Sequence, residues 1–225
     1  MIKNNKDIKE ADYEELDKNE KIKDRSKDNS KNALFITRFF SWIIDFVIVY
    51  FVAILIASPF LNSSNLVKLS DERDKVINNY IESKIDINEY LGETYSLSYQ
   101  IAKHTGIYSI INIVIEILYF VVLQFYTGGL TLGRKLTKIR LKSCNGELSI
   151  NQLIVRCLLI NLVFSQLLSF VFLLFNIEIV FVIGSLICEF LQYTFIILAA
   201  IFIIARNDRR SLHDLICNTY VVKEG

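Results

Sequence analysis

Four long apolar blocks constrain the fold of this chain more than any other feature of its sequence. They cover residues 35–61, 107–126, 155–175 and 180–204, and charged or polar segments separate them. About 20 consecutive, mostly apolar residues are enough to cross a bilayer as an α-helix, and only helices and closed barrels satisfy their backbone hydrogen bonds in lipid. The blocks are continuous and lack the alternation of barrel strands, which argues against a barrel. The sequence therefore predicts an all-α membrane protein, built as a four-transmembrane-helix bundle.

The positions of the basic residues predict how the chain is oriented in the membrane. Lys and Arg are concentrated before the first block, between the second and third blocks, and after the fourth block. By the positive-inside rule these segments stay in the cytoplasm. An even number of spans also requires both termini to lie on the same side. We expect a multi-pass protein of the cell membrane with cytoplasmic N- and C-termini, a cytoplasmic loop at 127–154 and an extracytoplasmic loop at 62–106.

The N-terminal segment differs in composition from the rest of the chain. Residues 1–32 consist largely of Lys, Asp, Glu and Asn, with few apolar side chains. Such a segment cannot bury enough apolar surface to offset the chain entropy lost on folding, so we expect a disordered cytoplasmic tail. The transmembrane domain then covers residues 33–225. Its first span is expected to be retained as a signal-anchor, because it lacks a small-residue cleavage site.

The predicted cytoplasmic loop contains two local signals of regular structure. The stretch LTLGRKLTKI has the spacing of a short basic amphipathic helix at the membrane surface. The following IRLKSCNGELSI alternates around Asn145-Gly146, a dipeptide typical of tight β-hairpins. Because a hairpin alone is only marginally stable, the TYVVK segment at 219–223 is expected to add a third strand. We predict a small cytoplasmic β-hairpin module, with Gly133, Asn145 and Gly146 as structural residues at the inner edge of the bundle.

Three carboxylates and one amide fall near the middle of the predicted spans. These are Asp45, Glu116, Glu189 and Gln166. An ionised side chain at the bilayer centre costs roughly 2.5–3.5 kcal/mol on insertion scales, and like charges held close together in a low dielectric cannot all be ionised. We predict that these residues form a midplane site that binds a proton or a small cation for transport. Two alternatives stay open: hydrogen bonds that only hold the helices in register, and a pocket for a lipid or another ligand.

Two arginines lie at the cytoplasmic ends of predicted spans. Arg38 precedes Asp45 by seven residues, which returns to nearly the same helical face but about 10 Å away along the axis. Because helical side chains lean towards the N-terminus, Arg38 should point away from Asp45 and extend to the inner surface. We expect it to meet an anion there, such as Asp214 or a lipid phosphate. Arg156, at the start of the third span, should lie at the same inner edge.

Three separated stretches of the sequence carry a resemblance to a known family. They are TRFFSWIID, with Arg38 and Asp45; GGLTLGRKLTKIRLKSCNGELSINQLIVR, which ends at Arg156; and SLHDLICNTYVV, with Asp214. In these motifs the chain resembles the RDD family of membrane proteins, which is named for one arginine and two aspartates. The resemblance covers residues 33–223 and implies that Arg38, Asp45 and Asp214 are the motif residues. It also implies a role in transport, since some members resemble sodium/proton antiporters in function.

Enzymatic chemistry has no support in the sequence. No nucleophile–base pair, phosphate-binding loop or metal-spaced cluster stands out, and the chain has only four Cys and two His. We therefore expect no catalytic residues, no metal and no cofactor. The expected partners are the lipid bilayer, a proton or sodium ion, and further copies of the chain in a homo-oligomer, but not nucleic acid. The alternative function is a non-transporting membrane scaffold or assembly partner that acts through its basic cytoplasmic hairpin.

Overall fold

The computed structural model describes residues 32–61 and 63–224. The predicted disordered tail lies outside the described residues, except for Asn32. At the start of the described chain, Asn32 bridges to Val222, and the backbone N–H of Ala33 donates to the carbonyl of Val221 over 2.9 Å. The chain therefore enters its first helix directly beside the C-terminal strand.

The described elements are mostly helices. In chain order they are α1 (Phe35–Ala57), α2 (Ser63–Ile81), α3 (Ile87–Ile117), α4 (Gln124–Tyr126), α5 (Leu132–Leu136), β1 (Ile139–Ser143), α6 (Ile150–Ile160), α7 (Val163–Leu174), α8 (Glu178–Ala205), α9 (Leu212–Ile216) and β2 (Thr219–Lys223). A 3₁₀ turn at Ser58–Phe60 extends α1. A π-helical turn at Leu118–Leu123 joins α3 to α4.

Three helical stretches in the described chain are long and apolar enough to cross a membrane. They are Phe35–Phe60, Ile87–Tyr126 and Glu178–Ala205, and they correspond to the first, second and fourth predicted spans. The second stretch has 40 residues, which is about 60 Å of helix, or roughly twice the ~30 Å hydrocarbon core of a bilayer. A span therefore needs only about half of this stretch. Helix α2 packs against its first half through apolar side chains that include Leu69 and Leu97.

The third predicted span is not a single helix. Helices α6 and α7 are bent by 70° at the break between them, where Leu162 has a φ of 61°. Gln192 of α8 stabilises this break, because its side-chain amide donates to the carbonyls of Leu158 (3.2 Å) and Leu159 (2.7 Å) at the end of α6, where helical partners are missing. The described chain thus has three candidate membrane spans, or four if the bent pair counts as one. The predicted four-helix bundle is confirmed only in part.

The small sheet is formed by two distant segments of the chain. Strand β1 pairs antiparallel with β2, with Ile139 opposite Lys223 and Ser143 opposite Thr219. The prediction that TYVVK joins the loop strand is confirmed, although it is the direct partner of β1 and not a third strand. The main core lies against this sheet and includes Leu141, Leu153, Cys157 and Val221. We call the part of the bundle that carries β1, β2, α5 and α9 the sheet end.

The hairpin predicted around Asn145-Gly146 is wrong. The chain turns there, with Gly146 at a φ of 102°, but a single bridge between Ser143 and Gly146 is all that follows. The returning residues instead begin α6: the Ser149 hydroxyl accepts from the Gln152 N–H over 3.3 Å, and the Gln152 side-chain oxygen accepts from the Ser149 N–H over 3.1 Å. This capping box places helix, not strand, after the turn.

Candidate functional site

The motif aspartate Asp214 connects distant parts of the chain at the sheet end. Its side chain is fully buried, and Arg38 of α1 donates to Oδ2 over 2.6 Å. Arg156 of α6 donates to Oδ1 and also to the hydroxyl of Thr219 in β2, over 2.6 Å. The expected contact between Arg38 and Asp214 is therefore confirmed. The second ion pair, from Arg156 to the same carboxylate, was not predicted.

The electrostatics of this cluster keep Asp214 ionised and its neighbour His213 neutral. Burial opposes ionisation of Asp214, but the charges of Arg156 and Arg38 outweigh it and hold the pKa of the carboxyl well below its usual range. Burial lowers the pKa of His213 to about 3, against the opposing charge of Asp214. At neutral pH the cluster is thus one carboxylate held between two guanidinium groups.

The Asp45 carboxylate accepts hydrogen bonds from the N-terminus of α5, from the residue that caps this helix, and from a tyrosine. The carboxylate is 2% exposed. Its Oδ1 accepts from the backbone N–H of Gly133 over 2.7 Å and from the hydroxyl of Tyr119 over 2.6 Å, and its Oδ2 accepts from the hydroxyl of Thr131 over 2.6 Å. An anion at a helix N-terminus is favourable because the first backbone N–H groups have no helical acceptor. Asp45 therefore holds α5 against α1.

Gly133 is required for this close approach. A Cβ at position 133 would lie 2.2 Å from the carbonyl oxygen of Ser41 and 2.8 Å from the Asp45 carboxyl carbon. Both distances are far inside van der Waals contact, and one of them is to backbone. The prediction of Gly133 as a structural residue at the inner edge therefore has a direct physical reason in the packing of α5 on α1.

Tyr119 is a residue of this site that the sequence analysis missed. It lies in the π-helical turn Leu118–Leu123, and its hydroxyl accepts from the backbone N–H of Leu132 over 3.0 Å while donating to Asp45. π-Helical turns inside α-helices occur frequently at functional sites. The Thr-Leu-Gly sequence before Arg134 was a readable signal for a capped helix, but no sequence feature marks the π-helical turn.

Glu116 belongs to a separate polar cluster inside the bundle. The carboxylate is 3% exposed. Its Oε1 accepts from the side-chain amides of Asn112 (2.7 Å) and Gln166 (3.2 Å), and Asn112 also donates to the Gln166 oxygen over 3.0 Å. The other oxygen, Oε2, is buried without a hydrogen-bond partner. Within the described residues, none of the ion pairs involves Glu116.

The three predicted carboxylates do not form one layer. Glu116 and Gln166 meet, as expected, but Asp45 binds Tyr119 and the start of α5, and no hydrogen bond joins it to Glu116. Glu189 is exposed on α8. The reason is geometric: position along a span gives the height of a residue, whereas the direction of its side chain depends on how the helix is rotated when it packs. Among the described residues, no cluster of His, Cys, Asp and Glu could hold a metal ion.

Comparison with known proteins supports the resemblance to the RDD family. The family model described as "RDD family" matches residues 32–218, which include the two buried ion pairs, the Asp45 contacts and the Glu116 cluster. Comparison with curated proteins and with solved structures found no match.

Proposed function

The chain belongs to the RDD family, and within its membrane-spanning bundle we propose that Glu116 binds a proton or a small cation such as sodium, which the protein carries across the bilayer. One observation supports this proposal above the others. Glu116 is a buried carboxylate with one oxygen bound by two amides and the other without a partner. Transport is thereby assigned to one carboxylate of the three that the sequence suggested.

The argument rests on the cost of an uncompensated charge. A buried ionised carboxylate without a counter-charge is strongly unfavourable, and polar groups within membrane spans typically mark ion or proton pathways. A proton on Oε2 removes the charge without moving any neighbour. A bound cation would also remove it, with amide oxygens of Asn112 and Gln166 turned towards it, because small hard cations prefer oxygen ligands.

Asp45 has a different role in this proposal. All its observed contacts are donors from the protein itself, namely Tyr119, Thr131 and Gly133, so the carboxylate is already compensated. We therefore assign Asp45 to positioning α5 and not to ion binding. Of the carboxylates in the predicted midplane site, Glu116 is thus the one that we assign to ion binding.

Vesicle flux measurements test the proposal. The purified protein is reconstituted with a pH-sensitive dye inside and a sodium gradient across the bilayer. Glu116→Gln keeps the size and hydrogen bonds of the side chain, and we expect it to reduce sodium-linked pH change at least tenfold. Glu189→Gln is the matched control, because it removes an exposed carboxylate of another span, and it should retain the flux. Absence of flux in the wild type, or full flux in Glu116→Gln, would overturn the proposal.

The proposal also includes an orientation, with the sheet end in the cytoplasm. Cys144 is exposed at the turn after β1, whereas Cys157 and Cys217 are buried. A membrane-impermeant maleimide should therefore label Cys144 in inside-out vesicles and leave it unlabelled in right-side-out vesicles. Cys144→Ser controls for labelling of other thiols. Labelling in right-side-out vesicles alone would reverse the orientation.

A scaffold function is the second candidate, and exposed basic side chains favour it. Lys135, Lys138 and Lys142 are all exposed at the sheet end. Deleting the loop would be a poor test, because β1 would be lost with it. Exchanging these three lysines for Gln leaves the sheet in place. Loss of a co-purifying protein in this variant, together with no sodium flux in the wild type, would favour the scaffold over transport.

A homo-oligomer stays part of the proposal because of Glu189. An exposed carboxylate within an apolar span is costly against lipid, and a second copy of the chain could cover it. We expect Glu189→Leu to change the molar mass measured for the detergent-solubilised protein by light scattering. An unchanged mass would remove the argument for this contact.

A further inference from the structure

A cavity of about 270 Å³ lies at the sheet end, separate from the Glu116 cluster. The start of α1, helix α6 and the second half of α8 form its walls, and residues of α5 and the segment before β2 contribute to it. Its lining combines polar and apolar side chains: Arg38, Arg134, Arg156 and His213 contribute hydrogen-bond donors, and Phe39, Trp42 and Ile197 are among the apolar residues. A cavity lined by both arginines and apolar side chains suits an amphipathic anion.

The charges that line the cavity do not balance. Three arginines, Arg38, Arg134 and Arg156, line it together with one carboxylate, Asp45. Asp214 lies outside the lining and pairs with Arg38 and Arg156. Arg134 has no ion pair among the described residues. Its Nη1 donates to the carbonyl of Gly129 over 3.1 Å and, with the neighbouring amide oriented to satisfy both groups, to the side-chain oxygen of Gln124. Burial lowers the pKa of Arg134 only to about 10, so its positive charge persists at neutral pH.

Hydrogen-bond donors at this end are also left without acceptors. Arg156 makes its hydrogen bonds in the described structure through Nη1 alone, so Nε and Nη2 remain available. His213 is 8% exposed, lines the cavity, and its Nδ1 has no partner, while Nε2 lies 2.7 Å from the hydroxyl of Ser211. If the Ser211 hydroxyl donates to Nε2, the neutral ring carries its proton on Nδ1. That N–H is then a buried donor that needs an acceptor.

The shape of the cavity indicates where its ligand comes from. Phe39 and Ile197 line it and are also 42% and 60% exposed, so the cavity adjoins an exposed apolar surface between α1 and α8. Exposed apolar side chains on a membrane-spanning helix are suited to contact with lipid. Pockets that enclose a whole drug-sized ligand have volumes of roughly 300–1,000 Å³. This smaller cavity can hold a phosphate group and the first part of an acyl chain, with the rest of the chain left in the bilayer.

We propose that the cavity binds the phosphate group of an anionic phospholipid, with Arg134, Arg156 and His213 as donors and the Phe39 and Trp42 side chains against its acyl chain. Basic pockets between transmembrane helices on the cytoplasmic side are known lipid headgroup sites. A soluble phosphate would offer the same acceptor oxygens but would leave the apolar walls without a ligand. The proposal does not depend on ion transport.

Trp42 provides a direct probe, because it is the single Trp of the chain and lines the cavity. The full-length protein is reconstituted with phosphatidylglycerol or phosphatidylcholine that carries brominated acyl chains, and quenching of Trp fluorescence is measured. We expect anionic lipid to reach the same quenching at a roughly fivefold lower mole fraction than zwitterionic lipid, because one additional contact between opposite charges strengthens binding by about this factor. Equal quenching by the two lipids would overturn the proposal.

Two variants and one competitor sharpen the experiment. Arg134→Gln should remove the preference for anionic lipid, whereas Lys135→Gln, which removes an exposed charge from the same short helix, should retain it. An unchanged preference in Arg134→Gln would contradict the assigned donors. Millimolar inorganic phosphate should leave the quenching intact; relief by phosphate would assign the site to a soluble anion and overturn the lipid. The wild-type measurements decide the question even if Arg134→Gln does not fold.

Discussion

Replacing Asp214 with Asn should destabilise the protein more than any single exchange in an exposed ion pair. The buried Asp214 carboxylate accepts from Arg38 and Arg156 at the same time. An amide has one acceptor oxygen and one NH₂ group. In Asp214→Asn the NH₂ group would therefore face the N–H groups of one of the two arginines, and two hydrogen-bond donors would meet without an acceptor. Two buried guanidinium groups would also lose their counter-charge. Breaking a buried ion pair by removing one partner costs about 3–5 kcal/mol.

Asp208→Asn is the matched control for this prediction. Asp208 lies in the same C-terminal segment and also pairs with an arginine, but its side chain and that of Arg206 are 25% and 42% exposed. Exposed pairs of this kind contribute about 0–1 kcal/mol. The measurement is reversible unfolding of the purified protein in mixed detergent micelles, with helicity as the signal. If Asp214→Asn costs no more than Asp208→Asn, the buried cluster does not hold the sheet end together.

Three further predictions concern packing, the helix break and pH. Gly133→Ala should lower the free energy of unfolding by about 1–3 kcal/mol, as overpacking does, because the new methyl group would lie 2.2 Å from a backbone oxygen. Gly92→Ala is the control: Gly92 lies in a helix with open space around it, so this exchange should be neutral or stabilising. Equal effects of the two exchanges in thermal unfolding would contradict the prediction. Gln192→Leu should lower the free energy of unfolding by about 1–3 kcal/mol in the same assay, because it leaves two carbonyls at the α6–α7 break without a donor. An unchanged free energy of unfolding would mean that the break does not need Gln192. The pKa of His213 is about 3 in the fold against ~6.5 in the unfolded chain. As the pH drops below ~6.5 the unfolded chain therefore binds the proton first, and the free energy of unfolding falls. His213→Gln should flatten this pH dependence in unfolding measured from pH 7 to 5, and an unchanged slope would assign the dependence to another group.

Local sequence signals predicted the parts of the structure that depend on local physics. Hydropathy over about 20 residues identified the long apolar helices, because the length needed to cross a bilayer does not depend on the fold. The direction of Arg38 followed from helix geometry, since seven residues and the lean of helical side chains separate it from Asp45. Asp214 could be predicted as its partner because few other acidic residues lie in the C-terminal segment.

The hairpin prediction failed because two local signals compete in one segment. Asn145-Gly146 does form a turn, but Ser149 and Gln152 form a capping box immediately after it. The Ser-x-x-Gln pattern is itself a readable sign of a helix N-terminus. Strand β1 then pairs with β2, a segment more than 70 residues away, and only the three-dimensional fold brings the two together.

The candidate site was less predictable because it depends on helix rotation and on irregular backbone. Glu189 has the depth of a bundle residue but is exposed. Tyr119 reaches Asp45 from a π-helical turn, and Leu162 breaks the third span with a positive φ although it is not a glycine. Neither the turn nor the break has a composition signal, since both are stabilised by contacts with other helices.

The central proposal is that Glu116 holds a proton or a cation inside the membrane. Infrared difference spectroscopy of the reconstituted protein observes this directly, through the carbonyl band of a protonated carboxylic acid. In sodium-free buffer at neutral pH, we predict such a band in the wild type and in Glu189→Gln, its absence in Glu116→Gln, and its reduction when sodium is added if sodium competes with the proton. Identical wild-type and Glu116→Gln spectra, with and without sodium, would contradict the proposal.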